Sequence, residues 1–342
     1  MTNVPTIPSF ADRLLPAPVN GGFAMEDYWV WCGSAMRGED GKYHLFASRW
    51  PRTYPFYQGY LLASEIVRAV ADTPVGPYEF AEVVLPRRGE SLWDGRMTHN
   101  PTIHRCGDTY LLYYIGSTFT GPIPSPEALL ETPSILTESW LNIRTGLATA
   151  PSIFGPWTRR DMPILAPRAD NWDRTMIANP APCVRDDGRV LLIYRSSGLQ
   201  PRLQLGIAHA AHFAGPYQRL VDTPICEHAR EHVEDPYLWW AGDHYEMLAK
   251  DMDGGLTGEQ HAGAHLYSAD GLAWEVAPVP KGYSRTIRWD DGTTTTQGSL
   301  ERPQLLIEHG QPTHLFLATA DGPGGFAQAT RTWNMVIPLS QV

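Results

Sequence analysis

Acidic side chains recur beside the starts of several β-rich runs, and these residue types could perform acid–base chemistry. The candidates for catalysis are Asp27, Asp94, His99, Asp173, Glu234, Asp235 and Glu301. Two carboxyl groups that flank a glycosidic bond, one protonated and one ionised, are the usual equipment for glycoside hydrolysis. Carboxylates that are crowded together raise one another's pKa, which suits one of them to act as a general acid.

Aromatic, amide and cationic side chains near the same runs could bind a polar ligand. Each cation alone is more often a structural ion-pair partner, and most aromatic side chains simply pack in the core. As a set they indicate a cup in which indole rings stack on sugar rings and Arg, Lys and Asn bind hydroxyl groups. The candidates are Trp31, Arg49, Trp50, Trp93, Asn100, Asn179, Arg195, Lys250 and Arg302.

An internal repeat predicts the elements that position these residues. An x-x-Pro step, a short apolar run, a polar turn and a strong β run recur at 99–117, 179–197, 234–251 and 301–319. The first copy, WCGSAMRGEDGKYHLFASR at 31–49, has Cys-Gly in place of x-Pro. Turns such as Arg-Asp-Asp-Gly between alternating apolar runs are typical of β-hairpins.

A second repeated unit follows the hairpins and ends in Gly-Pro and an aromatic residue. It occurs as AVADTPVGPYEF, ATAPSIFGPWTRR and AHAAHFAGPYQRL, with a weaker copy in YSADGLAWEVA. The five hairpin copies are spaced by roughly 55–80 residues, near the length of a propeller blade with its loops. The sequence therefore predicts an all-β, five-bladed β-propeller as the catalytic domain at 24–342. An N-terminal extension at 1–23 is expected to lie along the propeller or to serve an oligomer contact.

One segment has a helical pattern, SPEALLETPSILTESWL at 125–141. It belongs to an insert at about 119–141 that interrupts the second blade. Insertions of this kind often carry function, so the insert is a candidate lid.

The innermost strand of each propeller blade faces the central channel, and the x-x-Pro step begins that strand. Five equivalent positions therefore converge at one end of the channel: Cys32, Asn100, Asn179, Asp235 and Arg302. Burying such polar groups together is costly unless they pair or bind something. A ligand site is the favoured interpretation, and a structural polar plug around a water or an ion is the alternative.

A sharper internal match supports this register. WDGRMTHNP at 93–101 and WDRTMIANP at 172–180 share Trp-Asp and Asn-Pro at the same spacing. The two segments are therefore expected to occupy equivalent positions in adjacent blades.

Composition excludes several classes of protein. The formal net charge of the 342-residue chain is −10, with no long basic run, which argues against nucleic acid or an anionic membrane as the main partner. No apolar stretch approaches the roughly 20 residues needed to cross a bilayer, and no signal peptide is evident, so a cytoplasmic protein is expected. The four cysteines form no C-x-x-C pair, which favours free thiols over a metal site.

The expected partner is a small carbohydrate, with a homo-oligomer left open. No cofactor and no catalytic metal are expected, apart from a structural ion or water that the channel could hold.

The segments DGKYHLFASRW, THNPTI and EDPYLWW, the x-x-Pro strand starts and the Gly-Pro-aromatic turns together resemble the five-bladed propeller glycoside hydrolases. This group contains families 43, 117, 32 and 68, and the resemblance is closest to families 43 and 117. It covers roughly residues 24–335. It implies a hydrolase of furanosides, xylosides or anhydro-sugars that works in a funnel at the end of the channel.

The family 43 pattern places a base Asp in blade one, a pKa-tuning Asp in blade three and an acid Glu in blade four. Glu234 matches the acid, whereas Cys32 and Asn179 stand where the base and the tuning Asp would be. Asp27, five residues before Cys32, then becomes the expected base or nucleophile, with Asp94 and Asp173 as other candidates.

The hydrolase hypothesis gives the remaining acids supporting roles. Asp235 and Glu301 would tune and orient the acid. Family 117 would also permit His99 in acid chemistry.

Two other functions remain open at this point. Propeller phosphorylases of the family 130 type also carry a Glu-Asp-Pro step, and their phosphate could be held by His99, Arg195, Lys250 and Arg302. A propeller without the base residue could instead bind a sugar and not cleave it.

Overall fold

A computed structural model describes residues 7–198, 202–226, 232–322 and 325–341. Five β-sheets follow one another along the chain, and the first strands of consecutive sheets contact each other. The first strand of the last sheet contacts the first strand of the first sheet, so the ring closes. This arrangement confirms the predicted all-β, five-bladed propeller.

Blades one to three each contain four antiparallel strands in chain order. Blade one comprises β1 (Tyr28–Arg37), β2 (Tyr43–Pro51), β3 (Glu65–Ala71) and β4 (Glu79–Leu85). Blade two comprises β5 (Met97–Cys106), β6 (Thr109–Ser117), β7 (Arg144–Ala150) and β8 (Thr158–Arg159). Blade three comprises β9 (Ala178–Val184), β10 (Val190–Ser197), β11 (Leu203–Ala210) and β12 (Gln218–Arg219).

Blades four and five are separated by a short hairpin. Blade four comprises β13 (Val233–Trp240), β14 (Tyr245–Asp251), β15 (Gly263–Ser268) and β16 (Glu275–Tyr283). The hairpin comprises β17 (Thr286–Arg288) and β18 (Thr294–Thr296). Blade five comprises β19 (Ser299–Glu308), β20 (Gln311–Ala320) and β21 (Thr332–Pro338).

The Gly-Pro turns end the third strands of blades one to three, as the repeat predicts. Each turn contains a cis peptide bond, at Gly76–Pro77, Gly155–Pro156 and Gly215–Pro216. The aromatic residue that follows is partly or fully buried in the core between blades.

Every inner strand carries the same local irregularity near its start. One residue in each has a left-handed backbone, with φ between +49° and +55°: Cys32, Asn100, Asn179, Asp235 and Arg302. A register shift follows at the same point of each inner pairing. Such bulges re-aim side chains, and here they turn one side chain per blade toward the channel.

Residues 7–23 of the predicted N-terminal extension lie along blades four and five, while residues 1–6 are outside the described range. Phe10 packs against Trp239 and His265 of blade four. The backbones of Phe23 and Asn334 exchange two hydrogen bonds at the outer edge of β21. The N-terminal segment thus extends blade five.

Two helical insertions lie near the same end of the channel. α1 (Phe56–Ala63) joins β2 to β3 and was not expected from the sequence. The predicted helical segment forms a 3-10 turn at Glu127–Glu131 and α2 (Pro133–Leu141) between β6 and β7. Leu61, Leu62, Ile135 and Leu136 share one apolar cluster, so the insert supports α1 from behind.

Both helices are short. In the part of the chain that the model describes, no helix is long and apolar enough to cross a membrane.

Candidate active site

A cavity of about 130 Å³ opens at the end of the channel where the inner strands begin. All five blades contribute to it, together with α1. The lining residues are Trp31, Trp50, Phe56, Tyr57, Tyr60, His99, Asn100, Ile115, Ile143, Asn179, Arg195, Glu234, Asp235, Glu301 and Arg302. The cavity therefore joins acidic, cationic, amide and aromatic groups that are far apart in sequence.

Four of the five left-handed residues, Asn100, Asn179, Asp235 and Arg302, line the cavity, and Cys32 is bonded to one of them without lining it. Cys32 Sγ donates to Asn100 Oδ1, Asn100 Nδ2 donates to Asn179 Oδ1 over 2.7 Å, and Asn179 Nδ2 donates to Asp235 Oδ1 over 2.5 Å. Arg302 Nη1 donates to the same Asp235 oxygen over 3.0 Å. A chain of hydrogen bonds thus crosses all five blades and ends on one carboxylate.

Glu234 immediately precedes that carboxylate, and its side chain is buried. Burial raises the pKa of Glu234, and the negative charge of Asp235 raises it further, while Arg195 and Lys250 lower it in part. Oε2 accepts no hydrogen bond from the described residues. The Arg195 Nη1 atom is 3.5 Å from Oε2, which is beyond ordinary hydrogen-bond length. Glu234 is therefore a carboxyl group with a raised pKa and one oxygen atom that is not hydrogen-bonded.

The other two acids of the cavity are tightly paired. Lys250, opposite Glu234 in the β13–β14 pairing, contacts Glu301 Oε1, to which Ser299 Oγ also donates over 2.8 Å. Burial would raise the pKa of Asp235, but the positive charge of Arg302, with that of Lys250 and Arg195, lowers it instead. Asp235 therefore remains ionised beside Glu234.

His99 reaches the cavity from blade two. Its Nδ1 lies 2.8 Å from Ser64 Oγ, and its Nε2 lies 3.9 Å from Cys32 Sγ. Burial lowers the pKa of His99 well below its usual value, and the charges of Arg302 and Arg195 add to this effect. The imidazole is therefore neutral at neutral pH, and a proton on Nδ1 would leave Nε2 as the acceptor nitrogen.

Aromatic rings form the wall above His99. Trp31 and Trp50 each pack edge-on or tilted against Phe56 of α1, and Trp50 also contacts the His99 ring. Gly59 lets α1 approach this closely, since a Cβ at that position would stand 2.5 Å from Trp50 Cδ1. A sugar ring in the cavity would meet this wall with its apolar face.

Several buried donors around the cavity have no acceptor among the described side chains and backbone. They are Arg195 Nε, Arg302 Nε and Arg302 Nη2. Unsatisfied buried donors are costly, so a ligand that presents several oxygen acceptors would be stabilised here. No group of three or more His, Cys, Asp or Glu in the described ranges is placed to hold a metal ion.

Asp27 does not meet Glu234, so the expected pairing of these two carboxylates is wrong. Asp27 is exposed and lines a different surface pocket with Glu26 and Arg52. The reason is distance along the strand, because five extended residues before Cys32 span about 16 Å. The backbone carbonyl of Asp27 accepts from Arg52 N, which fixes the outer end of the β1–β2 pair.

Asp94 and Asp173 are also outside the cavity, and both are structural. Asp94 accepts from Tyr114 Oη over 2.8 Å and pairs with Arg88 and Arg159. Asp173 makes the equivalent contacts in blade three: it accepts from Tyr194 Oη over 2.9 Å and pairs with Arg168 and Arg219.

Trp93 follows the same pattern as its neighbour Asp94. It stacks on Tyr114 with 5.6 Å between ring centroids, as Trp172 does on Tyr194, and it does not line the cavity. The Trp-Asp match therefore marks equivalent blade positions but not ligand contacts.

Arg49 and Lys250 are the remaining predicted residues that do not line the cavity. The Arg49 guanidinium donates to Glu65 Oε1 over 2.9 Å and lies over the rings of Tyr28 and Phe80. Successive residues of a strand face opposite sides, so Trp50 points to the cavity and Arg49 points away. Lys250 pairs with Glu301, and Glu301 is the residue that lines the cavity.

The repeat pattern of the sequence does not reveal the contribution of α1 or of two apolar residues, Ile115 and Ile143, to the cavity. Tyr57 and Tyr60 reach the cavity from α1, and burial raises the pKa of Tyr60 far above its usual value. A Pro followed by an apolar run, PFYQGYLLA, is a helix-start pattern. The β-rich residues on both sides of this segment, and Gly59 within it, weaken the helical pattern.

No protein-family model matches the sequence, and no curated protein matches it significantly. Solved structures do match along nearly the whole chain. One of them, a complex described by the names BT0996 and RGII, superposes with a TM-score of 0.70 at 15% identity, covering 97% of this protein and 94% of the matched one.

Two further matches are glycoside hydrolases of the families that the sequence resembles. Zg3597, a family 117 glycoside hydrolase from the marine bacterium Zobellia galactanivorans, superposes with a TM-score of 0.64 at 15% identity, covering 96% of this chain and 88% of its own. A thermostable family-43 glycoside hydrolase superposes with a TM-score of 0.62 at 11% identity, covering 96% and 93%. The protein thus shares the five-bladed propeller fold of family 117 and family 43 hydrolases.

Proposed function

We propose that this protein is a glycoside hydrolase that cleaves a small oligosaccharide or glycoside in the cavity at the end of the channel. The observation that carries the proposal is Glu234, a buried carboxyl group with a raised pKa and an unbonded oxygen beside an aromatic wall. Such a group holds a proton at higher pH than an ordinary glutamic acid and can deliver it to a leaving oxygen.

The proton acceptor in this proposal is His99. Blades two and four are not adjacent in the ring, so His99 and Glu234 border the cavity from separate blades. Hydrolysis needs a protonated acid and an unprotonated base at the same pH. Burial favours the neutral form of both groups, which is the form that each role requires.

The neighbouring groups have supporting roles. Asp235 stays ionised through Arg302 and raises the pKa of Glu234, and Glu301 holds Lys250 in place. Asn100, Asn179, Arg195 and Arg302 would bind hydroxyl groups, while Trp31 and Trp50 would contact the ring.

One observation favours a second candidate, a glycoside phosphorylase of the family 130 type. Arg195 and Arg302 carry three nitrogen atoms in or beside the cavity that bond to no described residue, and guanidinium groups are well suited to phosphate. Against it, Lys250 is already paired with Glu301, and one Arg302 nitrogen is bonded to Asp235.

The test is a panel of 4-nitrophenyl glycosides and small oligosaccharides, each incubated with and without inorganic phosphate. Phosphate-independent release of a free sugar by the wild type, lost in Glu234→Gln, supports hydrolysis. Phosphate-dependent formation of a sugar 1-phosphate would identify a phosphorylase instead. Calorimetric binding without turnover across the panel would leave a sugar-binding propeller, and the hydrolase proposal would be abandoned.

A further inference from the structure

A second cavity lies beside blade five at the same end of the propeller. It encloses about 320 Å³, at the lower end of the roughly 300–1,000 Å³ that is typical of small-molecule sites. Two tryptophans line it, Trp289 after β17 and Trp333 in β21, together with polar residues of the β17–β18 hairpin. None of these residues belongs to the cavity that contains Glu234.

A series of polar contacts leads from the second cavity to the first. Gln297 lines the second cavity, and its Oε1 accepts from Thr319 Oγ1 over 3.1 Å. The same hydroxyl also contacts the carbonyl of Ser299 over 3.0 Å, and Ser299 Oγ donates to Glu301 Oε1 over 2.8 Å. Four residues thus lead from the second cavity to an acid that lines the first.

The two indole rings are held by specific contacts. Trp289 Nε1 donates to Thr295 Oγ1 over 2.8 Å, and Trp289 remains partly exposed. The guanidinium of Arg331 lies over the Trp333 ring, 4.6 Å from its centroid. A fixed, partly exposed indole is a platform for the apolar face of a sugar ring, and Arg331 supplies donors beside it.

The polar groups of this cavity have bonding capacity left over. Thr295 Oγ1 accepts from both Trp289 Nε1 and Gln297 Nε2, the latter over 2.9 Å. A hydroxyl oxygen has two acceptor sites and one proton, so its own proton is available to a ligand. Asp291 Oδ1 accepts twice from Thr293, and because a carboxylate has about four acceptor sites, this exposed group can accept further hydrogen bonds from a ligand.

We infer that this cavity is a second saccharide-binding site, which holds sugar residues other than those in the cavity of Glu234. The indole face would contact the apolar face of a sugar ring. The hydroxyl donor, the carboxylate acceptor and the guanidinium beside it would bind the adjacent hydroxyl groups. The choice of a carbohydrate as ligand rests on the proposed function. The location, chemistry and capacity of the site do not depend on catalysis.

The experiment uses the full chain with Glu234→Gln, which prevents turnover, and tetrasaccharides of xylose, arabinose, glucose and galactose as probes. Indole ¹⁵N–¹H resonances report each tryptophan separately, and calorimetry gives the affinity. At least one tetrasaccharide is expected to shift the Trp289 and Trp333 resonances. Trp289→Ala is expected to weaken binding about threefold to tenfold, as for the loss of one aromatic contact.

Trp240→Ala is the matched control. Trp240 is partly buried, as Trp289 is, and Arg185 lies over its ring 3.9 Å from the centroid, as Arg331 lies over Trp333. It lies at the far end of β13, away from both cavities, so its removal should leave saccharide affinity unchanged.

Two results would overturn the inference: Trp289 and Trp333 resonances that ignore every probe at millimolar concentration, or affinity that is equal in Trp289→Ala and Trp240→Ala. The resonance measurement does not depend on whether Trp289→Ala folds. Failure of the hydrolase proposal looks different, because the wild type would then release no sugar while the Trp289 resonance could still respond.

Discussion

Arg195 Nη1 lies 3.5 Å from Glu234 Oε2, near enough for electrostatic attraction but beyond ordinary hydrogen-bond length. Arg195 therefore lowers the pKa of Glu234 without cancelling the effects of burial and of Asp235, which raise it. Glu234 differs in this respect from the other two acids of the cavity. The carboxylate of Asp235 is bonded directly by Arg302, and that of Glu301 by Lys250. The first predictions follow from this difference.

Glu234→Gln should lower kcat/KM for a responsive glycoside by about 10²–10⁴-fold, the range for loss of a general acid. Asp27→Asn is the matched control, since Asp27 is exposed and lines a separate pocket, and its activity should stay near that of the wild type. Steady-state kinetics on both variants make the comparison. Equal activity of Glu234→Gln and wild type would remove Glu234 from the mechanism.

The alkaline limb of the kcat/KM profile should follow the charges around Glu234. Because the acid acts when protonated, activity falls as pH rises through its raised pKa. Asp235→Asn removes a negative neighbour and should move this limb to lower pH, whereas Arg195→Met removes a positive neighbour and should move it to higher pH. A shift of roughly 1 pH unit is expected for each. Shifts in the same direction would contradict the assignment.

Glu234→Gln should also stabilise the fold at neutral pH. A group whose pKa is higher in the folded than in the unfolded state loses its contribution to stability as pH rises through the folded value. Removing the titrating group should therefore raise the free energy of unfolding at pH 7 by on the order of 1 kcal/mol. Urea titrations at pH 7 and below pH 4 test this, since the gain should disappear where the carboxyl is protonated in both states.

Asp94→Asn and Asp173→Asn should destabilise the protein without changing KM in the folded fraction. Each substitution leaves two arginines beside a buried group that no longer carries charge. Breaking such a buried ion cluster costs about 3–5 kcal/mol. Chemical denaturation measures the loss in the free energy of unfolding. A raised KM with unchanged stability would instead indicate that these residues contact the ligand.

Tyr57→Ala should weaken substrate binding more than it weakens the fold. Tyr57 lines the cavity from α1 but is 51% exposed, so little core packing is lost. KM should rise about twofold to tenfold, as for the loss of one aromatic contact, and the midpoint of thermal unfolding should change little. An unchanged KM for every responsive substrate would place Tyr57 outside the binding surface.

The sequence predicts the ring of channel-facing residues well, because the x-x-Pro step repeats at the same point of each blade. All five predicted positions adopt a left-handed backbone, and four of them are joined to the next by side-chain hydrogen bonds. Glu234 and Glu301 follow directly, since each precedes a ring residue. The repeat fixes both the strand and the position along it.

The errors arise where a role depends on partners that are remote in sequence. Asp94 resembles a channel acid until Arg159, 65 residues later, is seen to reach its carboxylate. Arg49 and Trp50 were both assigned to the ligand, although strand alternation sends them to opposite faces. The contribution of α1 was missed because Gly59 interrupts its short helical pattern between two β-rich runs, and because its contact with Trp50 depends on close packing at Gly59.

At the five ring positions, the left-handed backbone sets the direction of the chain, while the side chain supplies the chemical group at the channel mouth. Asn and Asp tolerate this conformation better than most residues, whereas Cys32 and Arg302 adopt it at a cost on the order of 1 kcal/mol. Glycine, asparagine or aspartate at either position would replace a thiol or a guanidinium without requiring the chain to change direction. New reactivity can therefore be introduced one blade at a time, on a scaffold that already accepts the substitution.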